Sequence, residues 1–134
     1  MATPDDRRYT DQHEWAMVQG TDGTSTVVRI GITDHAQDAL GDIVFVQLPE
    51  VGAEVAPGTA IGEVESTKSV SDFYAPVTGV VAAVNDALAD TPETINADPY
   101  GAGWLADIAV PGEGGDPIGQ LLDADAYQAL VDGS

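Results

Sequence analysis

Between Pro49 and Asp86 every apolar run is short, because a Pro or a Gly soon interrupts it. The segments "PEVGAEVAPGTAIGEVES" and "SDFYAPVTGVVAAVND" place those runs between Pro-Gly, Ala-Pro and Thr-Gly turn signals. The spacing of about eight to twelve residues is the cadence of a small sandwich or barrel, so the centre of the chain is read as mainly β. The two segments also resemble each other loosely. Each holds a Pro, then a Gly, then an apolar run, and together they flank Lys68, which predicts a two-fold arrangement of paired hairpins.

The flanks supply further elements. Strands are expected over Glu14–Gln19 and Thr26–Ile32, joined through the hairpin signal "GTDGTS". "TDHAQDALGD" reads as a short helix with Thr33 as N-cap and Gly41 taking a left-handed C-terminal conformation. "IVFVQL", from Ile43 to Leu48, has apolar residues at both periodicities and reads as a strand buried on both faces. A cap signal at Asp90 or Thr91, followed by Pro92 and Glu93, predicts one or two helical turns before Asp98-Pro99. "WLADIAV" reads as a last strand. "DADAYQALV" reads as a C-terminal amphipathic helix capped by Asp123, with Tyr127, Leu130 and Val131 against the sheet. No linker divides these elements, so one domain over residues 1–134 is expected.

Composition narrows the function. With 23 acidic residues against four basic ones the formal charge is −19, which repels nucleic acid and anionic membrane surfaces and favours partners with basic faces. There is no cysteine, hence no disulfide, no thiolate metal site and no thiol nucleophile; any sulfur redox chemistry must be borrowed. The two histidines are too few for a metal site. No signal-type or membrane-spanning apolar stretch stands out, and a cytoplasmic protein is expected.

Lys68 is the one lysine in the chain. It stands in "ESTKS" between a run containing Ile61 and Val64 and another containing Val70 and Phe73. If those runs pair as antiparallel strands, the lysine projects from a tight tip. Hairpin tips often carry a polar residue without a task, and geometry alone leaves that alternative open. The chemistry available to such a position separates two active roles. An exposed lysine with no apolar pocket or cationic neighbour makes a poor catalytic amine, so a Schiff-base role is disfavoured. Acylation, which hangs a cofactor on a four-carbon stem clear of the core, is the better fit.

Four blocks then resemble one family. "HEW" at His13–Trp15, "GITDHAQDALGDIVFVQLPEVG" at Gly31–Gly52, "GEVESTKSVSDFYAPVTGVV" at Gly62–Val81 and "INADPYGAGWL" at Ile95–Leu105 occur in the order and at the spacing of glycine cleavage system H proteins. The resemblance implies a mainly β, lipoyl-domain-like barrel-sandwich hybrid of two small antiparallel sheets, with short helices and a C-terminal helix. It implies lipoic acid in amide linkage on Lys68, which supplies the missing sulfur, and Glu65 and Ser66 as recognition or turn residues for the lipoate-attaching enzyme. It places Glu14 and His35 in the environment of the loaded arm, the alternatives being an exposed edge-strand acid and a helix-surface histidine satisfied by Asp34 or Asp38. Asp72, on the strand returning from the loop, is read as a further neighbour of the arm, with an ordinary outward-facing acid as the alternative. It implies no catalytic residue: the protein carries the aminomethyl group of glycine from the P protein, a decarboxylase, to the T protein, an aminomethyltransferase. The L protein, a dihydrolipoamide dehydrogenase, reoxidises it. Thr67 and Ser69 depart from the usual "ESVKA", and Gln12 stands where Ser or Thr often precedes "HEW". Three other readings compete. A lipoyl or biotinyl domain of a multienzyme complex would show "DKA" or "MKM" and Pro/Ala-rich linkers, which this chain lacks. An H-like protein that passes lipoyl groups to other proteins would fail to stimulate P protein despite full lipoylation, and a purely structural β module would carry no modification.

Overall fold

A computed structural model describes residues 3–112 and 117–133. Among these residues nine strands form two antiparallel sheets. The larger has the order β1 (Arg8–Tyr9), β2 (Glu14–Asp22), β3 (Ser25–Ile32), β9 (Ala106–Pro111), β8 (Gly79–Val84) and β5 (Glu54–Val55). The smaller runs β4 (Ile43–Gln47), β6 (Ala60–Ser66), β7 (Val70–Tyr74). The Ala-Pro corners carry the chain between sheets, β5 to β6 at Pro57 and β7 to β8 at Pro76, and they meet at a parallel bridge between Pro57 and Ala75. The turn punctuation of the sequence thus becomes the means by which two small sheets close on one core.

That core has two lobes. Ala16, Val28, Ile30, Val81 and Ile108 fill one against the large sheet, and Ile32, Ile43, Val46, Val64, Phe73 and Leu105 fill the other behind the small sheet. Ile61 packs against both. A third cluster of Tyr9, Trp15 and Tyr127 lies on the other face of β2, where the C-terminal helix docks. Trp15 pairs directly with Gly31 on β3, and a Cβ at Gly31 would come within 2.6 Å of its ring. Glycine there is a packing requirement. The indole Nε1–H donates to Pro99 O at 3.0 Å, fixing the loop ahead of β9.

Helix α1 (Asp34–Leu40) starts at Thr33, whose hydroxyl accepts from Ala36 N at 3.2 Å, and ends at Gly41 with φ +85°. Helix α3 (Ala124–Asp132) is capped by Asp123 at Ala126 N. Both follow the expected cap chemistry. The first hairpin is longer than its apolar run, since β2 and β3 pair out to Asp22 and Ser25 and only Gly23 and Thr24 turn the chain. The segment after β8 forms a 3₁₀ turn over Asp86–Ala89 and a single turn, α2 (Thr94–Ala97). The expected side-chain cap at Asp90 or Thr91 does not form; the Thr91 hydroxyl donates back to Ala87 O at 2.9 Å. Leu130 faces solvent on α3, while Val131 packs beside Tyr9, Trp15 and Tyr127.

The expectation for Ile43–Leu48 needs correction. Ile43 pairs with Ser66 and Phe45 with Glu65, so Val44 is the extra residue of a β-bulge. Without the bulge Ile43 and Val46 would face opposite ways; with it both turn inward, and Val44 and Phe45 are left 50% and 54% exposed. The strand is buried on one face.

Gly31→Ala should lower stability by about 2 kcal/mol through overpacking against Trp15. A denaturant midpoint that did not fall, followed by tryptophan fluorescence, would show that the ring moves aside at no cost.

Candidate functional site

The ladder between β6 and β7 ends at the pair Glu65–Val70, leaving residues 66–69 for the tip. Ser66 organises them. Its N–H donates to Ser69 O at 2.8 Å, and its hydroxyl donates to the same oxygen while accepting from Lys68 N at 3.3 Å and Ser69 N at 3.1 Å. Thr67 N donates to Asp42 O at 3.1 Å, tying the tip to the chain just after α1. Both departures from the usual motif, Thr67 and Ser69, therefore enter the turn through their backbone. Lys68 is exposed, and among the described residues its amine makes no hydrogen bond or ion pair. Its stem lies over the end of α1, where a Cβ on Gly41 would stand 3.3 Å from Lys68 Cε.

Glu14 is placed differently from an ordinary edge-strand acid, being only 2% exposed. Residues 10–14 close a loop in which Thr10 N donates to Glu14 O at 2.9 Å and His13 adopts a φ of +67°. This aims Glu14 inward, on the face of β2 that also carries Ala16. Its Oε1 accepts from the Thr10 hydroxyl at 2.7 Å and its Oε2 from Tyr74 N at 3.2 Å. Among the described residues no cation pairs with it. Burial pushes its carboxyl up to about 7, against the opposing pull of those two donors. It opens into a cleft of about 590 Å³ lined by Tyr9, Thr10, Gln12, Pro57, Tyr74 and Leu121 among others.

His35 sits in the first turn of α1 with its ring 4.7 Å from that of His13. His13 Nδ1 is 2.8 Å from the Tyr127 hydroxyl, which is 2.8 Å from the Thr33 hydroxyl. With His13 neutral and its proton on Nε2, Thr33 donates to Tyr127 and Tyr127 to Nδ1, so every hydroxyl proton in this buried chain is used. Burial, and then the neighbouring His35, hold His13 below its ordinary value, which agrees with that direction. Asp72 lies exposed on the outer face of the small sheet, opposite Glu63.

Glu65, Ser66 and Lys68 thus share one tip, whereas Glu14 lies in the cleft, His35 beside His13, and Asp72 on the outer sheet face. Among the described residues no hydrogen bond or ion pair joins Lys68 to Glu14, His35 or Asp72. Sequence reasoning missed Thr10, Tyr127 and the backbone N–H of Tyr74 as the groups that hold Glu14 and His13. Thr10 was accessible from its type and spacing, since Thr hydroxyls accept backbone N–H groups two residues on, as this one does from Gln12 at 3.2 Å. No helix among the described residues is long and apolar enough to cross a membrane.

Two antiparallel sheets exchanging strands at Ala-Pro corners, with a lysine at the tip of the smaller, define a carrier domain of the lipoyl type. Residues 7–133 match the family described as "Glycine cleavage H-protein". The chain is 59% identical over 129 residues to the glycine cleavage system H protein of Mycolicibacterium smegmatis, covering 96% of this chain and 95% of that one. It is 54% identical over 133 residues to that of Beutenbergia cavernae, covering 99% of each. A crystal structure of the H protein from Mycobacterium marinum superposes with a TM-score of 0.83 at 49% identity, covering 98% of this chain and 99% of that one. The chain belongs to the glycine cleavage H-protein family.

The buried carboxylate has a signed consequence. Because Glu14 holds its proton up to about 7 when folded and to about 4.5 when unfolded, the folded state binds more protons between those values. Its contribution to stability therefore falls as pH rises through that window. Relative to Glu14→Gln, the wild type should lose on the order of 3 kcal/mol between pH 4.5 and 8. Parallel curves of unfolding free energy against pH for the two proteins would contradict it. His13 acts oppositely, its penalty growing as pH falls below 6.5.

Proposed function

We propose that the chain is the lipoylated shuttle of the glycine cleavage system, with lipoic acid in amide linkage on Lys68. In this reading it carries the aminomethyl group of glycine from the P protein to the T protein in the cytoplasm, and the L protein reoxidises it. The chain supplies no catalytic group. The observation that carries the proposal is the tip itself: a primary amine with no partner among the described residues, on a turn whose backbone is tied down by Ser66 and Asp42. Membership of the H-protein family supports it.

The residues fit the group. Gly41 leaves open the space that a Cβ would fill beneath the lysine stem, so an extended arm has a path along the body of the protein. From Gly41 the chain of α1 leads back about 9 Å along the helix axis to His35. Bound there, lipoate supplies the disulfide and thiol chemistry that a cysteine-free chain lacks.

The chain's own part is to hold, orient and shield. Thr10 and Tyr74 N–H keep Glu14 pointed at the cleft. A carboxyl near 7 with no cation beside it is costly to charge, and an ammonium group brought into the cleft offsets that cost by stabilising the anion. The site therefore gains affinity for a cationic amine without an arginine or lysine of its own to compete. His35, beside His13 at the first turn of α1, is assigned to the same environment; Asp72, on the outer sheet face, is assigned to its approach. Glu65 and Ser66 are assigned to presentation of the lysine, Ser66 through the turn. Tethering replaces diffusion of the carried group by a short swing at each docked partner.

Intact mass after incubation with lipoate, ATP and a lipoate ligase should show one lipoyl increment, located to Lys68. Lys68→Arg should reduce glycine–bicarbonate exchange with P protein to background. Exchange at the wild-type rate in that variant would rule out the carrier role.

A further inference from the structure

The bulge in β4 has left an apolar face in water beside the lysine tip. Phe45, Glu65 and Val70 form one row across β4, β6 and β7, and Gln47, Glu63 and Asp72 form the next. Directly paired residues point to the same side, and strands lie about 4.8 Å apart, so Phe45 and Val70 flank Glu65 across roughly 10 Å. Val70 and Phe45 are each 54% exposed, and Val44 adds a third apolar side chain at the bulge. Folding gains little from this arrangement. Glu63 opposite Asp72 sets like charges against each other, and the outer face of a small sheet could carry Thr, Lys or Gln at no loss to the core.

We propose that this face is the docking surface for the enzyme that acylates Lys68. This rests on the attachment reading above. A lysine reaches only about 6 Å from its Cα, so an enzyme acting on the bare ε-amine must bring its active site onto the tip and seat itself on what flanks it. An enzyme that acts on the far end of a loaded arm can sit farther from the tip, so the demand for contact with this row is greatest for the attaching enzyme. The flanking surface is the row Phe45–Glu65–Val70, and its chemistry specifies the partner: an apolar recess for Phe45 and Val70, edged by Arg or Lys side chains to meet Glu63, Glu65 and Asp72. Docking of that kind also holds the amine against the activated acyl group. The deprotonated ε-amine attacks the carbonyl of an acyl adenylate, the amide C–N bond forms, the C–O bond to AMP breaks, and the proton lost from nitrogen leaves with a base or solvent.

The test uses the full-length protein, an ATP-dependent lipoate ligase, lipoate and ATP, with initial rates followed by intact mass. Phe45→Ser with Val70→Thr should lower kcat/KM for lipoylation by about tenfold or more, while far-ultraviolet circular dichroism and the thermal midpoint show a folded protein. Val18→Thr and Val80→Thr, exposed on the large sheet, should leave the rate unchanged. Glu63→Gln with Asp72→Asn should flatten the decline of the wild-type rate with salt. Lipoylation of the folded Phe45/Val70 variant at the wild-type rate overturns the proposal; if that variant also loses exchange with P protein, the face belongs to the decarboxylase instead. Should the double variant unfold, amide hydrogen exchange of the wild type with and without ligase decides: protection of β4 and β7 supports the docking face, and protection confined to the large sheet or α3 overturns it. A wild-type protein that gains no lipoyl group at all overturns the attachment reading, and the docking face with it.

Discussion

Val64 opposite Ser71 and Glu65 opposite Val70 set a register in which residues 66–69 can only be a tight turn. The position of Lys68 follows from that ladder, and so does much around it. A slip of one residue would turn Val64 and Phe73 out of the core and Glu63 and Glu65 into it, a change far larger than anything the tip could contribute. The buried face therefore holds the exposed end. Ser66 then converts a turn into a fixed platform, because one hydroxyl serves two backbone donors and one acceptor within the same four residues. The tie from Thr67 N to Asp42 O adds the end of α1 to the platform. Each such bond contributes only about 1 kcal/mol, but together they fix the base from which the lysine side chain projects.

How much of this was legible in the sequence depended on whether the determining contacts were local. Thr33 and Gly41 at the ends of α1, Asp123 at the start of α3 and the Pro-Gly punctuation act within a few residues, and they produce the elements they predict. Lys68 was legible for the same reason, since two short apolar runs bracket it. The bulge at Val44 was not. Apolar residues at four consecutive positions satisfy both faces of a strand equally, and only pairing with Ser66 and Glu65 decides which two turn inward. The burial of Glu14 was equally hidden. In a chain with 23 acidic residues nothing marks one carboxylate as buried, and the groups that hold it come from Thr10 in a preceding loop and Tyr74 on the other sheet. The contact between His13 and His35 likewise joins residues brought side by side by the pairing of Glu14 with Ile32 and the hydrogen bond from Thr33 N to His13 O.

The scarcity of positive charge sharpens the reading of the tip. The chain has four basic residues, and the three arginines are committed to the fold. Arg7 lies 4.6 Å from the centroid of Trp15 and donates to Tyr100 O, Arg8 donates to Leu121 O, and Arg29 forms a two-pronged pair with Asp107 while lying 3.9 Å from the centroid of Trp104. Planar guanidinium groups suit such stacked and forked contacts, and an ammonium does not. Lys68 is the remaining basic residue, and among the described residues its charge enters no ion pair. Acylation of that amine would remove a positive charge that forms no ion pair among the described residues, moving the formal charge from −19 to −20. A structural lysine would resist such a modification in proportion to the contacts it forfeits. The contact this one does make, the packing of its stem over Gly41, is one that an acylated lysine retains.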